Sequence, residues 1–364
     1  MLNALAPQPE DAERGNTMKA MVLRHCAPIE REPLQLEEVP DPQPGPGQVR
    51  VRVKACGVCR TDLHVIEGEL PPRDHLVIPG HQVIGIVDQR GPLATRFQVG
   101  QRIGIAWLHQ SCGECRHCRS GHENLCDHSV FTGYQRLGGY AEYALVPEAF
   151  AYPIPEIFSD VEAPPLLCAG IIGYRSLKRS DCQPGDSLAL FGFGSSAHIV
   201  IQIARHWGCQ VYVCSRNRHH QRLAIQLGAR WAGSNAAEMP VLVRSAIIFA
   251  PAGSLVPEAL ECLEKGGTLA LAGIYMSNIP ELNYEKHLFH EKNVRSVTAN
   301  TRRDGLELLQ IAAQIPIRPQ VRVFPLQNAN EALLLLKQDR IQGSAVLVHE
   351  MNLNPGPERP QTTD

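Results

Sequence analysis

Apolar residues along the chain follow two rhythms. After the turn-rich stretch DPQPGPGQ, Val49, Val51 and Val53 alternate with Arg50, Arg52 and Lys54, which predicts a strand with one buried face. Patterned chain begins at Met18 with MKAMVL, and short apolar runs at Val83–Val87, Arg102–Ala106 and Ala141–Val146 carry the same texture to about residue 165. Such spacing predicts an irregular, barrel-like β domain. Near residue 170 the rhythm changes. Runs at Asp186–Phe191, Gln210–Cys214, Ser245–Ala250 and Thr268–Gly273 predict buried strands, and the segments Ala197–Trp207, Gln221–Leu227 and Pro257–Lys265 predict helices between them. Strands alternating with helices imply βαβ units on a parallel sheet. Gly305–Ile315 and Ala329–Gln338 then predict helices and Ser344–His349 a last strand, while residues 1–17 read as a disordered head and 350–364 as a polar tail.

Composition narrows this picture. A length of 364 residues suggests two domains, and 44% hydrophobic content allows sizeable cores. With 35 Lys plus Arg against 37 Asp plus Glu, the net charge of −2 gives no reason to expect nucleic acid or a membrane surface as partner. No run approaches the roughly 18 apolar residues of a membrane span. The opening segment places acids after a short apolar start, the wrong order for a signal peptide, so a soluble cytoplasmic protein is expected. In that setting the 12 cysteines point to metal ligands or buried apolar positions rather than disulfides.

Cys112, Cys115, Cys118 and Cys126 form C-x2-C-x2-C-x7-C within SCGECRHCRSGHENLC. Four soft thiolates from one tight excursion suit tetrahedral zinc, and a full protein shell makes such a site structural and closed to substrate. A disulfide pair in an oxidising compartment is the plainer alternative.

Gly192, Gly194 and Ala197 form G-x-G-x-x-A between a predicted strand and a predicted helix. The first glycine permits a tight turn, the second lets backbone approach a pyrophosphate, and Ala197 lets helix pack on strand. The helix N-terminus then faces the phosphates. The end of the second strand reads Cys214-Ser215-Arg216-Asn217, with no acid to accept bonds from a ribose 2′-hydroxyl. Ser215 and Arg216 suit a 2′-phosphate, so NADP(H) is favoured over NAD(H). Ile247, Phe249, Gly273 and Ile274, at the ends of late strands, are expected to back this cofactor.

CGVCRTDLH at Cys56–His64, Gly80-His81-Gln82 and Cys168 in LLCAG lie far apart in sequence. Together they offer two thiolates and an imidazole, the composition of a three-ligand zinc site with a free corner, which can polarise a bound oxygen. Taken alone, Cys56 and Cys59 could be a redox pair.

These motifs, with PGH at Pro79–His81, LLCAGIIGY, GFGSSA and the KGG of Lys265–Gly267, resemble in this order the zinc-dependent alcohol dehydrogenases of the medium-chain dehydrogenase/reductase superfamily. The resemblance runs from Met18 to His349. It implies an α/β fold class, with a GroES-like β-barrel catalytic domain over 18–168 and 305–349 and a Rossmann doubly wound parallel sheet over 169–304. It assigns Cys56, His81 and Cys168 to a catalytic zinc, Thr61 and His64 to the proton relay, Asp62 to orienting the zinc-bound imidazole, and Trp107 to the substrate pocket. The implied cofactors are two zinc ions per chain, one catalytic and one structural, and NADP(H). The implied reaction is reversible hydride transfer between a primary or secondary alcohol and NAD(P)+. The implied assembly is a homotetramer or homodimer. A reductase of bulky or cinnamyl-type aldehydes is the alternative, and a non-catalytic relative of the fold the more distant one. Two departures stand out: Gln82 replaces the Glu common after the zinc-binding His, and Ser344 aligns with a basic residue that often supports the pyrophosphate.

Overall fold

The computed structural model describes residues 16–72, 76–315 and 317–349; the expected head up to residue 15 and the tail from 350 lie outside the described residues. Two sheets organise the chain. The first has seven strands, with neighbours in the order Val321–Pro325, Ser344–Val348, Gln48–Val58, Gln82–Arg90, Arg102–Ile105 and Ala151–Pro153, while Tyr143–Pro147 pairs separately with Gln48–Val58. Val49, Val51 and Val53 are buried and the residues between them are not, as the alternation requires. The closing strand Ser344–Val348 runs antiparallel to Gln48–Val58, so the C-terminal end of the described chain is built into the first half.

The second sheet has six parallel strands in the order Trp231–Gly233, Gln210–Cys214, Ser187–Phe191, Val243–Ile248, Leu263–Leu271 and Asn293–Ser296. Numbered along the chain this is 3-2-1-4-5-6, the doubly wound dinucleotide-binding arrangement, whose ligand crevice opens where strand order reverses. Leu188, Ala189, Leu190 and Phe191 are all fully buried, because helices cover both faces of such a sheet.

Among the described residues, the helices depart from the sequence reading in several places. Arg60–Ile66 is helical inside the segment read as β-rich, and Ala169–Arg179 is a helix where the sequence reading placed none. The expected helix Pro257–Lys265 instead spans Leu255–Glu261, and Leu263 already pairs with Val243 in the sheet. The i, i+3 spacing of Leu260 and Leu263 continues a helical period, but pairing with Val243 places Leu263 in the sheet. The boundary expected between 304 and 305 falls inside the helix Arg302–Gln314, whose Leu308, Leu309 and Ala312 pack in the core of the parallel-sheet half.

Candidate active site

Strand Gln48–Val58 delivers two cysteines to very different places. Cys56 is still in the strand, opposite Val83 and Leu347, and is buried. Its sulfur lies under the backbone of Gly80 and Gly139, where an added Cβ would meet it at 2.8 and 3.1 Å. Cys59 lies one residue beyond the strand, as N-cap of the helix Arg60–Ile66. Its sulfur, that of Cys168 and a ring nitrogen of His81 lie within 4.8 Å of one another. Cys59 Sγ is 3.8 Å from Cys168 Sγ, and His81 Nε2 is 3.3 Å from Cys168 Sγ. The geometry therefore corrects the expected set: Cys59, not Cys56, joins His81 and Cys168. Side chains alternate along a strand, so Cys56 faces the barrel core; the turn into the helix frees Cys59 to point elsewhere.

Behind this group lies Asp62, 1% exposed and accepting four hydrogen bonds. Its Oδ1 accepts from Gly80 N–H at 3.2 Å and pairs with His81 Nδ1 at 3.0 Å; its Oδ2 accepts from Cys59 N–H at 2.9 Å and Tyr140 O–H at 3.1 Å. Bonded to Asp62 through Nδ1, His81 turns Nε2 toward the two sulfurs, the orientation that metal-binding histidines use. Burial opposes charge on His81, yet the Asp62 carboxylate and the Cys59 sulfur outweigh it and raise its pKa to about 10. The hydrogen bond between the sulfurs holds Cys59 well below the usual thiol value and pushes Cys168 up. Two thiols and an imidazole are the donor set zinc takes.

The same short helix carries Thr61, buried with Oγ1 3.7 Å from Cys59 Sγ, and His64, whose Nδ1 pairs with the Glu69 carboxylate. The Tyr275 ring stands 5.7 Å from that of His64. Trp107 places its ring edge-on to His81 at 5.0 Å and stacks on Phe131 at 4.9 Å and Tyr134 at 6.2 Å. Sequence reading missed Phe131 and Tyr134. Their signal was the aromatic pair in FTGY just after the cysteine lobe, and strand pairing of Leu108 with Phe131 brings it back to Trp107. Gln82, beside His81, is buried with its amide over Gly57, where an added Cβ would lie 2.8 Å from it.

At the crevice of the parallel sheet, Gly192 has φ +87 and lies against the Ala250 backbone, a conformation and a closeness that demand glycine. Gly194 caps the helix Ser195–His206, and a Cβ there would meet no protein atom within 4 Å. Ala197 is buried against the sheet. Ser344 Oγ lies 2.5 Å from Ser195 Oγ, so the last strand reaches this loop. Ser215, at the end of the second strand, is buried and its carbonyl accepts from Gln221. Arg216 is exposed, and its guanidinium makes no hydrogen bond or ion pair among the described residues. Ile247 is buried, Phe249 half-buried with its N–H bonded to Phe191, and Gly273 and Ile274 follow the fifth strand, with Ile274 exposed.

In the cysteine lobe the sulfurs of Cys112, Cys115, Cys118 and Cys126 also lie within 4.8 Å of one another. Backbone N–H groups of Cys115 and Cys118 point at the sulfurs of Cys112 and Cys115 at 3.4 and 3.5 Å. The backbone N–H groups of Glu114 and Cys115 help lower the Cys112 pKa to about 6, favouring the thiolate that a metal needs.

Comparison with known proteins agrees with this architecture. The alcohol dehydrogenase GroES-like domain family matches residues 45–156, and the zinc-binding dehydrogenase family matches residues 197–314. This chain belongs to the zinc-type alcohol dehydrogenases of the medium-chain dehydrogenase/reductase superfamily, a family of oxidoreductases. It is 48% identical to the probable alcohol dehydrogenase AdhA of Mycobacterium tuberculosis, over 91% of this chain and 97% of that protein. It is 35% identical to an alcohol dehydrogenase of Geobacillus stearothermophilus, over 91% of this chain and 99% of that one. Among solved structures, a cinnamyl alcohol dehydrogenase of Sorghum bicolor superposes with a TM-score of 0.84 at 26% identity, covering 93% of this chain and 99% of that one. No helix among the described residues is long and apolar enough to cross a membrane.

Proposed function

We propose that this protein is a zinc-dependent alcohol dehydrogenase that interconverts primary or secondary alcohols with aldehydes or ketones, with NADP(H) preferred over NAD(H). The observation that carries the reading is the gathering of Cys59, His81 and Cys168 from three separate segments, with Thr61 beside them and Asp62 behind. Those three side chains would hold the catalytic zinc, and the four lobe cysteines a second, structural one. A zinc ion at the first site supplies Lewis-acid polarisation of an alcohol or carbonyl oxygen, and a nicotinamide in the crevice supplies the hydride acceptor or donor.

The chain's own groups do the rest. Asp62 fixes the His81 tautomer and ring orientation. Thr61, too weak a ligand to displace a thiolate, takes the substrate's hydroxyl proton through Oγ1. His64, three residues on along the same helix, carries it outward, its ring steadied by Glu69. Trp107, Phe131 and Tyr134 form an aromatic wall that excludes water and narrows the pocket toward slender substrates. Gly192, Gly194 and the helix N-terminus cradle the pyrophosphate, and Ser215 with the exposed Arg216 receives the 2′-phosphate. Phe249, Gly273 and Ile274 back the nicotinamide end.

Twelve unbridged cysteines support a reducing, cytoplasmic setting. The parallel sheet ends in the strand Asn293–Ser296, where Val294 is exposed, and an open edge of this kind supports a homodimer or homotetramer. The deciding experiment counts zinc in the purified protein and then assays a panel of aliphatic and aromatic alcohols and aldehydes with both cofactors. Two zinc ions per chain with alcohol-dependent NADPH formation are expected. One zinc and no turnover with any substrate would make the chain a non-catalytic member of its family.

A further inference from the structure

The cysteine lobe grips the other half of the molecule through two side chains. Glu123 and Asn124 lie in the 3-10 turn Glu123–Leu125, between the third and fourth cysteines, and both are buried. One carboxylate oxygen of Glu123 accepts from Arg302 N–H and from Arg302 Nε, each at 3.0 Å. Asn124 Nδ2 donates to the Thr298 carbonyl at 2.8 Å. These partners are more than 170 residues away in sequence, on the segment that leaves the parallel sheet after Ser296 and starts the helix Arg302–Gln314.

That segment does not hold its path by local preference. Ala299 sits at φ +48, a left-handed conformation costly for a residue with a Cβ. Its neighbours are held from the first half: Asn300 Nδ2 donates to Tyr152 Oη at 3.2 Å, and the Arg302 guanidinium lies 4.8 Å over the Phe150 ring. The helix it begins then transmits the grip. Asp304, 1% exposed, bonds Arg175 Nη1 at 2.6 Å and Lys178 Nζ at 3.1 Å. Both belong to the helix Ala169–Arg179, whose N-cap is Cys168.

We propose that Glu123 and Asn124 are positioning residues that fasten the four-cysteine lobe to the 298–304 junction, so that an ion in the lobe steadies the helix that begins at Cys168. The part played by the ion rests on the reading that the lobe binds zinc; the fastening by Glu123 does not. Buried hydrogen bonds to a carboxylate, made from one short turn to a strained segment, hold only while the turn keeps its shape. Four thiolates around one ion fix that shape.

The test is amide hydrogen exchange on the full-length protein with metal counted in parallel, for wild type, Glu123→Ala, Glu123→Gln, Cys115→Ser and the Glu123→Ala/Cys115→Ser double variant. Glu123→Ala should keep both ions yet raise exchange at 299–304 at least tenfold, with a smaller rise in the first turn after Cys168 and none in the strand Ser187–Phe191. Glu123→Gln, which keeps an acceptor for the Arg302 N–H, should rise less. Cys115→Ser should lose one ion and raise the same amides, and the double variant should add nothing further at 299–304. Unchanged exchange there in Glu123→Ala overturns the proposal, as does an equal rise throughout the parallel sheet. A full additive rise in the double variant overturns the role of the ion. If Cys115→Ser loses no ion, the zinc reading of the lobe and the ion's role both fall, while the fastening stands on Glu123→Ala. Should Glu123→Ala not fold, Asn124→Ala and Glu123→Gln decide, and no rise at 299–304 in either sinks the idea.

Discussion

Replacing Asp62 by Asn keeps the shape of the side chain and exchanges one acceptor for a donor. Four donors converge on the carboxylate, two per oxygen. If the amide nitrogen took the Oδ1 position, it would face the Gly80 N–H and the His81 ring nitrogen, and neither backbone nor ligand could turn away. At the Oδ2 position it faces the Cys59 N–H and the Tyr140 hydroxyl, and a hydroxyl can rotate to accept instead of donate. The second orientation is therefore expected. It leaves one buried N–H, that of Cys59, without an acceptor, at a cost of about 1–3 kcal/mol. His81 keeps its hydrogen bond but to a neutral oxygen, which should weaken metal binding by roughly 10- to 100-fold.

The role given to Tyr140 makes the reasoning sharper. Tyr140→Phe alone removes one of four bonds to a well-satisfied carboxylate and should cost about 1 kcal/mol. In the Asp62→Asn background the hydroxyl is the group that rescues the amide, so its loss there strands the amide N–H as well. The double variant should be less stable than the sum of the single effects by about 1–2 kcal/mol. Chemical denaturation gives the stabilities, and competition with a chromophoric chelator gives the affinity. Additive stabilities would show that the amide is not oriented by Tyr140. Unaltered zinc affinity in Asp62→Asn would mean that His81 is not held in place by this carboxylate.

Further outcomes follow from the same geometry. Cys59→Ala should lose one zinc per chain and turnover with it, whereas Cys56→Ala should retain both ions and lose about 1 kcal/mol of stability through a small cavity, as metal counting and denaturation will tell. The buried rings of His109 and His198 are pushed down to about 4 by burial, so both rings stay neutral in the folded protein where the unfolded chain takes up protons. Stability should therefore fall as pH drops from about 6.5 toward 4, by up to about 3 kcal/mol for each ring. His198→Phe, which sacrifices no hydrogen bond because neither ring nitrogen has a partner among the described residues, should flatten that acid slope in urea melts taken across the window. Arg216→Ala should raise KM for NADP+ at least tenfold more than for NAD+ in steady-state assays, and equal changes would remove Arg216 from the 2′-phosphate site.

How far the sequence reaches depends on whether a residue's role is fixed by neighbours along the chain or across it. The parallel sheet was legible because each of its central strands, such as Ser187–Phe191, is an apolar run between helical periods. The cysteine lobe was legible because all four sulfurs come from fifteen consecutive residues. The error at Cys56 has the opposite origin. Cys56 and Cys59 are three residues apart, and which one faces the cleft depends on where the strand stops. Apolar pattern cannot show that, since Gly57 and Val58 continue the strand without alternation and both are buried. The signal lay one step further, in the D of CGVCRTDLH: Asp62 sits three residues after Cys59, and its carboxylate takes the Cys59 N–H in a capping box. A capping acid at that spacing starts a helix at Arg60 and makes Cys59 the residue that leaves the strand. The partners of Asp62 beyond its own helix, and those of Glu123 across the junction, had no local counterpart. They exist only because distant segments meet, and the chemistry of both cysteine clusters depends on them.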